Sequence, residues 1–229
     1  MTTKSFQRRS KWSLGCIVFL MAMVTIAAAQ TREATDIDPL VDEILTGVEK
    51  RYASSAFSAR FDIESTLKAM QVTDTAAGRL MVKYPGKMRW EYDQPDPMLF
   101  VTDGVTLWMY QPQERQVRVG QTDAVLGGSQ GASFLSDVRL LRKQFQIDLD
   151  PNGSNERVRL KLTPREGAFD IAFITMTISR ATNDVVEVVT TNQYEDTTRV
   201  VFRDIVFQQT FPDTLFEFEI PEGTDVLQF

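Results

Sequence analysis

A serine within a glycine-rich segment is the first candidate for chemistry. Residues 127–131 read Gly-Gly-Ser-Gln-Gly, which matches the G-x-S-x-G pattern that carries the nucleophile of α/β-hydrolases. Ser129 would need a base to accept its proton, and the chain contains no histidine. We interpret the segment as a flexible hinge. A hydrolase at Ser129 stays an alternative, which labelling by a fluorophosphonate probe would reveal.

A possible calcium loop is the second candidate. Residues 148–153 read Asp-Leu-Asp-Pro-Asn-Gly and match the first half of such a loop, where oxygen ligands alternate and a glycine makes the bend. The twelfth position requires a bidentate acid but holds Arg159. Because strand patterns lie on both sides, the segment predicts a hairpin turn.

No other cluster of residues suggests catalysis. Acidic pairs such as Glu217 with Glu219 are expected in a chain with 31 acidic residues, and nothing in the sequence places a pair in a pocket. Cys16 is the only cysteine. We therefore predict that the protein is not an enzyme, with no catalytic residues, no metal and no cofactor.

Soft apolar side chains are frequent in this chain. It contains 15 Phe, 3 Trp, 5 Tyr and 9 Met. Adaptable side chains suit a surface that accepts an apolar ligand of variable shape. A packed core would use the same residues, so composition leaves both interpretations open. The methionines beyond residue 30 are Met70, Met81, Met88, Met98, Met109 and Met176.

The elements that must position these residues are mainly strands. Asp38-Pro39 begins a predicted amphipathic helix of about four turns, because Asp caps free N–H groups and Pro suits the first helical position. From Phe57 the apolar period changes to two, which predicts a strand with one wet face. About ten such strands joined by tight turns predict an antiparallel sandwich or barrel. The alternating runs include residues 80–84, 88–92, 107–109, 117–119, 147–149, 158–162, 174–178, 186–188, 200–202 and 216–220.

A second helical pattern interrupts the strands. Phe134, Val138, Leu141 and Phe145 lie four, three and four residues apart, directly behind the glycine-rich segment. This spacing predicts a helix. The helix fits a hinged flap over the barrel, and it equally fits a plug at one end.

The N-terminus reads as an export signal. A basic start precedes an apolar stretch at residues 12–26, and Ala27-Ala28-Ala29 supplies small residues for cleavage. Cleavage after Ala29 would release residues 30–229 as an exported domain without cysteine. Lipidation at Cys16 is the alternative, and it would anchor the chain to a membrane.

The charge balance excludes two kinds of partner. The formal net charge is −6, and four of the 25 basic residues lie in the predicted signal peptide. A nucleic-acid-binding protein needs a basic face to displace phosphate counterions, and docking on anionic lipid by bulk charge needs one too. We therefore predict no nucleic-acid partner.

One run in the first half of the chain carries a family resemblance. Residues 78–92 read GRLMVKYPGKMRWEY, Gln94-Pro95 follows, and residues 101–110 read VTDGVTLWMY. This run resembles the LolA family of periplasmic outer-membrane lipoprotein carriers. Supporting segments occur in the family's order at residues 57–61, 162–164, 216–218 and 221–223.

The resemblance implies a fold and a function. The fold would be α+β: mainly antiparallel strands in an incompletely closed β-barrel, a half-barrel, covered by a lid of short α-helices. Residues 30–229 would form one such domain. A monomeric carrier would receive acylated lipoproteins from an inner-membrane ABC transporter and pass them to an outer-membrane acceptor. A Cys16-anchored acceptor lipoprotein and a periplasmic lipid sensor or regulator stay alternatives.

The resemblance also implies site residues. Met88 and Trp90 correspond to family positions that line the cavity, and the helix at residues 134–145 corresponds to part of the lid. Family members often carry Arg before the strand-ending Pro, where this chain has Tyr84. Lys83 or Arg89 would then take over control of the lid and of transfer. The expected cavity and lid residues are Met88, Trp90, Phe134, Leu135, Val138 and Leu141.

Overall fold

The computed structural model describes residues 38–53, 56–122, 140–165, 171–207 and 209–229. Within these ranges the α-helices are α1 (Pro39–Tyr52) and α2 (Leu140–Gln144), and a 3₁₀ turn covers Asp213–Phe216. The strands are β1 (Phe57–Leu67), β2 (Val72–Lys83), β3 (Lys87–Gln94), β4 (Met98–Thr102), β5 (Thr106–Gln111), β6 (Gln116–Gln121), β7 (Phe145–Asp150), β8 (Arg157–Pro164), β9 (Ile171–Ser179), β10 (Val185–Asn192), β11 (Thr197–Phe207) and β12 (Asp225–Gln228).

All the described strands belong to one open sheet. Their order is β12-β6-β5-β4-β3-β2-β1-β11-β10-β9-β8-β7. Neighbours are antiparallel except β12 and β6, which run parallel. The edge strands β12 and β7 do not pair with each other. The sheet is therefore not closed, and the predicted α+β half-barrel is confirmed.

Alternation along the strands separates an inner from an outer face. Phe57, Ala59 and Phe61 of β1 are buried, and they lie on the face that we call inner. Gly78 of β2 lies between Phe61 and Tyr92 in the register, and these two rings pack with centroids 5.0 Å apart. A Cβ at Gly78 would lie 2.0 Å from the carbonyl oxygen of Glu91, so only glycine fits this crossing.

Helix α1 is fixed at both ends. The Leu40 N–H donates to Oδ1 of Asp38 over 2.8 Å, a helix N-cap. At the other end, Arg51 Nε lies 2.7 Å from Asp184 Oδ1, and the Val185 N–H donates to the Tyr52 hydroxyl oxygen over 3.0 Å. The apolar side of α1 is buried in the core of the half-barrel. The predicted helix from residue 38 and its amphipathic character are confirmed.

Residues 209–224, the C-terminal strap, lie against the outer face of the sheet. The Arg89 guanidinium on β3 donates to the carbonyl oxygen of Leu215 over 3.1 Å, and Phe216 is fully buried. The predicted strand at residues 216–220 is wrong. A 3₁₀ turn ends at Phe216, and residues 217–220 belong to no helix or strand, because the burial of Phe216 against the sheet replaces pairing within it.

Two further sequence predictions need correction. Phe145 does not end a helix; it begins β7 and pairs with Pro164. Residues 134–139 lie outside the described residues. Strand β4 escaped prediction because Met98, Leu99, Phe100 and Val101 form a continuous apolar run without alternation.

The hairpin predicted at residues 148–153 is confirmed. Strands β7 and β8 pair on either side of it, and Asp150 Oδ1 accepts hydrogen bonds from the backbone and side-chain nitrogens of Asn152, each over 2.8 Å. Across the described ranges, no helix is long and apolar enough to pass through a bilayer.

Candidate ligand-binding site on the inner face

A row of side chains crosses the inner face from β2 to β6. Directly opposed residues of antiparallel strands share a face of the sheet, and the register places five residues in line. We call this line the Trp90 row. Its members are Leu80, Trp90, Phe100, Met109 and Arg118.

The Trp90 row leaves the core as it crosses the sheet. Leu80 and Trp90 are buried, at 0% and 6% exposure. Phe100 and Met109 are half-buried, and Arg118 is exposed. The buried core cluster contains no described residue of β5 or β6, although Phe100 packs against it. The row therefore continues the apolar inner surface past the buried core, through Phe100 to Met109.

The inner face has two halves, which differ in how deeply their side chains are buried. Strands β1 and β7–β11, with α1 packed on them, form what we call the sealed half: Leu160, Met176 and Phe202 are buried there. Strands β3–β6 form the open half, where Tyr92, Met98 and Met109 are only half-buried. Burial raises the pKa of the Tyr92 phenol to about 12, so this inner-face hydroxyl is neutral at physiological pH.

The two predicted cavity residues lie at the boundary between the halves. The Trp90 ring packs 4.8 Å from Phe61 and 6.2 Å from Phe202, measured between centroids. Met88 is 2% exposed. Both side chains belong to the core cluster, and Trp90 also borders the half-buried Phe100. Their role in ligand binding stays a prediction.

Of the predicted lid residues, Leu141 can be placed. It lies in α2 and is buried in the core. The next residue, Arg142, fastens α2 to α1: its Nε lies 2.5 Å from Glu49 Oε1, and its Nη1 lies 2.5 Å from Asp42 Oδ1. Phe134, Leu135 and Val138 lie outside the described residues, as does Ser129.

The predicted transfer-control residues lie near the strap. Lys83 Nζ donates to the Phe211 carbonyl oxygen over 2.8 Å and to Asp213 Oδ1 over 2.6 Å. Hydrogen bonds from Lys83 and Lys87 hold the pKa of Asp213 below its usual range. Tyr84 is half-buried in the turn between β2 and β3. The control of a lid by Lys83, Tyr84 and Arg89 stays a prediction.

A separate cleft lies beside α1. It has a volume of about 550 Å³ and mixes apolar with polar lining residues, among them Leu40, Asp42 and Arg180. None of the predicted site residues lines it. Among the residues whose placement is described, no three Cys, Asp or Glu side chains are grouped closely enough to hold a metal.

Of the five residues in the Trp90 row, sequence reasoning assigned only Trp90 to the site. Phe100 lies on the unpredicted strand β4, and Met109 and Arg118 were not assigned to the site. The signal was present in the hairpin turns, since Asp103-Gly104 fixes the register of β4 on β5 and hence sets Phe100 opposite Met109.

Residues 53–219 match the family described as "Outer membrane lipoprotein carrier protein LolA". The chain belongs to the LolA family. The resemblance seen in residues 78–110 is thereby confirmed. So is the prediction of a non-enzymatic protein, because the family is one of carriers.

Two relatives illustrate the similarity of this LolA-family chain to named proteins. It is 31% identical to an outer-membrane lipoprotein carrier protein of Nitrosomonas europaea over 182 residues, which are 78% of this chain and 86% of the relative. It is 27% identical to a protein of the same name from Hahella chejuensis over 202 residues, or 88% and 92% of the two chains.

A solved structure shares the fold. An uncharacterized conserved protein from Thermus thermophilus superimposes with a TM-score of 0.55 at 12% sequence identity. The match covers 83% of this chain and 99% of that one.

Proposed function

We propose that this protein binds the acyl chains of lipoproteins on the open half of its inner face. It receives them from an inner-membrane ABC transporter and carries them through the periplasm to an outer-membrane acceptor. The observation that carries the proposal is the Trp90 row: in a chain of the LolA family, the inner apolar surface continues past the core to half-exposed Phe100 and Met109.

The chemistry of this surface suits an acyl ligand. Each methylene removed from water contributes about 0.8 kcal/mol, and the aromatic and methionine side chains of the open half can repack around chains of different shape. In the middle of the sealed half Leu160, Met176 and Phe202 are buried, and uncovered inner-face side chains such as Leu67 and Leu149 lie at its margins. A ligand therefore gains contact area on β3–β5.

The lid and its control belong to the same proposal. Leu141 and Arg142 fix the start of α2 to the core and to α1, so the segment before α2 is attached at this end. We assign Phe134, Leu135 and Val138 to the surface that covers the ligand. Lys83, Tyr84 and Arg89 control release from the β2–β3 hairpin, whose second strand also carries Met88 and Trp90.

The test is capture of a lipoprotein from membranes. Residues 30–229 are incubated with membranes that carry radiolabelled lipoprotein, the ABC transporter and ATP, and soluble one-to-one complexes are counted. We expect Trp90→Ala to reduce capture about tenfold, a loss of about 1.4 kcal/mol in binding free energy, because Trp90 borders the half-buried Phe100 and its loss reshapes the surface on which the acyl chain lies. Trp108→Ala is the matched control, since Trp108 opposes Val101 and lies on the outer face of β5.

Circular dichroism establishes that both variants are folded. Should Trp90→Ala unfold, Met109→Ala supplies the same test from a less buried position in the row. Wild-type capture by a folded Trp90→Ala or Met109→Ala variant would contradict the proposed site. An absence of soluble complexes with the wild-type protein would contradict the function itself.

The proposed location has its own test. Export with cleavage after Ala29 gives a periplasmic chain that begins at Gln30, and mass spectrometry of the processed N-terminus reads this directly. An acylated Cys16 would instead indicate a membrane-anchored acceptor.

A further inference from the structure

The Trp90 row ends in a cation. Arg118 of β6 lies opposite Met109 on one side and opposite Leu227 of β12 on the other. Leu227 is 41% exposed. An arginine thus interrupts an otherwise apolar line across the inner face, at the point where that line reaches water.

Arg118 makes no hydrogen bond or ion pair within the described part of the chain. Several other arginines on the strands do have partners: Arg79 and Arg89 contact Glu91, and Arg199 contacts Glu187. No ion pair of Arg118 therefore contributes to the stability of β6. Its guanidinium is exposed and presents its full set of donors to the inner face at the edge of the open half.

We infer that Arg118 binds the anionic head group of an amphiphile whose acyl chain lies along the Trp90 row. The inference rests on the proposed function and adds a polar end to that site. The planar guanidinium fork matches the geometry of a carboxylate or phosphate. Three strand spacings separate Trp90 from Arg118, about 14 Å, so an extended acyl chain reaches from one to the other.

The expected ligand is therefore an acyl lipid with a carboxylate or phosphate head group, such as a fatty acid. Charge complementarity selects this occupant: an uncharged head group would leave the Arg118 cation without a partner beside apolar surface. The acyl chain would contact Met109, Phe100 and Trp90 in that order from the head group. The site would bind a lipid by both its ends.

A pair of fluorescent probes tests the inference on the mature chain. The probes are 11-(dansylamino)undecanoic acid and its methyl ester, which share the chain and differ in the carboxylate. We expect the wild type to bind the acid about fivefold more tightly than the ester, because an exposed charge-assisted hydrogen bond contributes about 1 kcal/mol. Raising the salt concentration should remove this preference. Inorganic phosphate alone should not displace the acid, since a free anion lacks the apolar contacts.

Arg118→Gln should lower the affinity for the acid to that for the ester and leave ester binding unchanged. Arg157→Gln is the matched control, because Arg157 is also an exposed strand arginine but belongs to β8 of the sealed half. A retained preference for the acid in Arg118→Gln, or an equal loss in Arg157→Gln, would overturn the inference. Equal binding of acid and ester by the wild type would overturn the inference about Arg118 but leave the proposed function intact. Failure of both probes to bind would contradict the proposed function as well.

Discussion

The sealed and open halves of the sheet differ in how far their inner faces are buried. In the sealed half the inner face is buried, and the outer face carries ion pairs such as Arg199 with Glu187 at 2.6 Å. In the open half the outer face is buried: Val101 and Val117 are 0% exposed, on the side against which the strap packs. On the inner face of the open half Leu107 is buried, whereas Met98, Phe100 and Met109 are half-buried. Burial on the outer face therefore adds to the stability of the open half, and these half-buried residues leave inner surface for a ligand.

The largest expected effect is on the strap. Phe216→Ala removes a fully buried ring from the outer face and should cost about 3–5 kcal/mol in the free energy of unfolding, measured by urea denaturation. Amide exchange in β3–β6 should rise more than exchange in β8–β10. Phe218→Ala, a half-buried neighbour on the strap, is the control and should cost less. Equal exchange in both halves after Phe216→Ala would show that the strap does not stabilise the open half.

Two methionines offer a direct comparison of the inner faces. Met176 in β9 is fully buried, so Met176→Ala should cost about 2–5 kcal/mol in unfolding free energy. Met109 is half-buried, and Met109→Ala should cost less than about 1 kcal/mol while it weakens ligand binding. Chemical denaturation measures both. If Met109→Ala destabilised the protein as much as Met176→Ala, the open half would have a packed inner core.

The smallest effect concerns pH. Hydrogen bonds from Lys83 and Lys87 lower the pKa of Asp213, so its contribution to holding the strap is present above the ordinary carboxyl range and is lost as the pH falls below about 4. The Phe216 ring signals in NMR should report this change. Asp213 is exposed, so salt should reduce the effect.

Asp213→Asn should abolish the pH response of the strap. Asp150→Asn is the control: a hydrogen bond from the Asn152 backbone also lowers the pKa of Asp150, but this residue lies in the sealed half. A strap that keeps the same acid response in Asp213→Asn would indicate another titrating group.

Local pattern sufficed to predict much of the fold. Helix α1 has its cap, its Pro at the start and its apolar spacing within one segment, and the strand at Phe57 alternates cleanly because only one of its faces is covered. Strand β4 lacks alternation because it carries apolar residues on both faces, with buried Val101 on the outer face and half-buried Met98 and Phe100 on the inner face. Phe216 is apolar because the strap packs on the sheet. Such features depend on contacts between segments distant in the chain, which periodicity does not encode.

The candidate site shows the same limit. Trp90 and Met88 were found through a family resemblance. Phe100, Met109 and Arg118 join the row of Trp90 only through the successive pairing of β3 with β4, β4 with β5 and β5 with β6. The division of the sheet into a sealed and an open half was not predicted. It arises because α1 packs on the inner face and the strap packs on the outer face, and local sequence does not show on which face either segment packs.

Methyl NMR of selectively labelled methionines tests most directly whether a ligand occupies the open half. Met98 and Met109 lie on the inner face of that half, Met176 lies in the sealed half, Met81 faces outward from β2, and Met70 is exposed in a turn. On titration with an acylated lipopeptide, the signals of Met98 and Met109 should shift while those of Met176 and Met70 stay in place. Saturable shifts at Met176 or Met81 with Met98 and Met109 unchanged would place the ligand elsewhere and contradict the account.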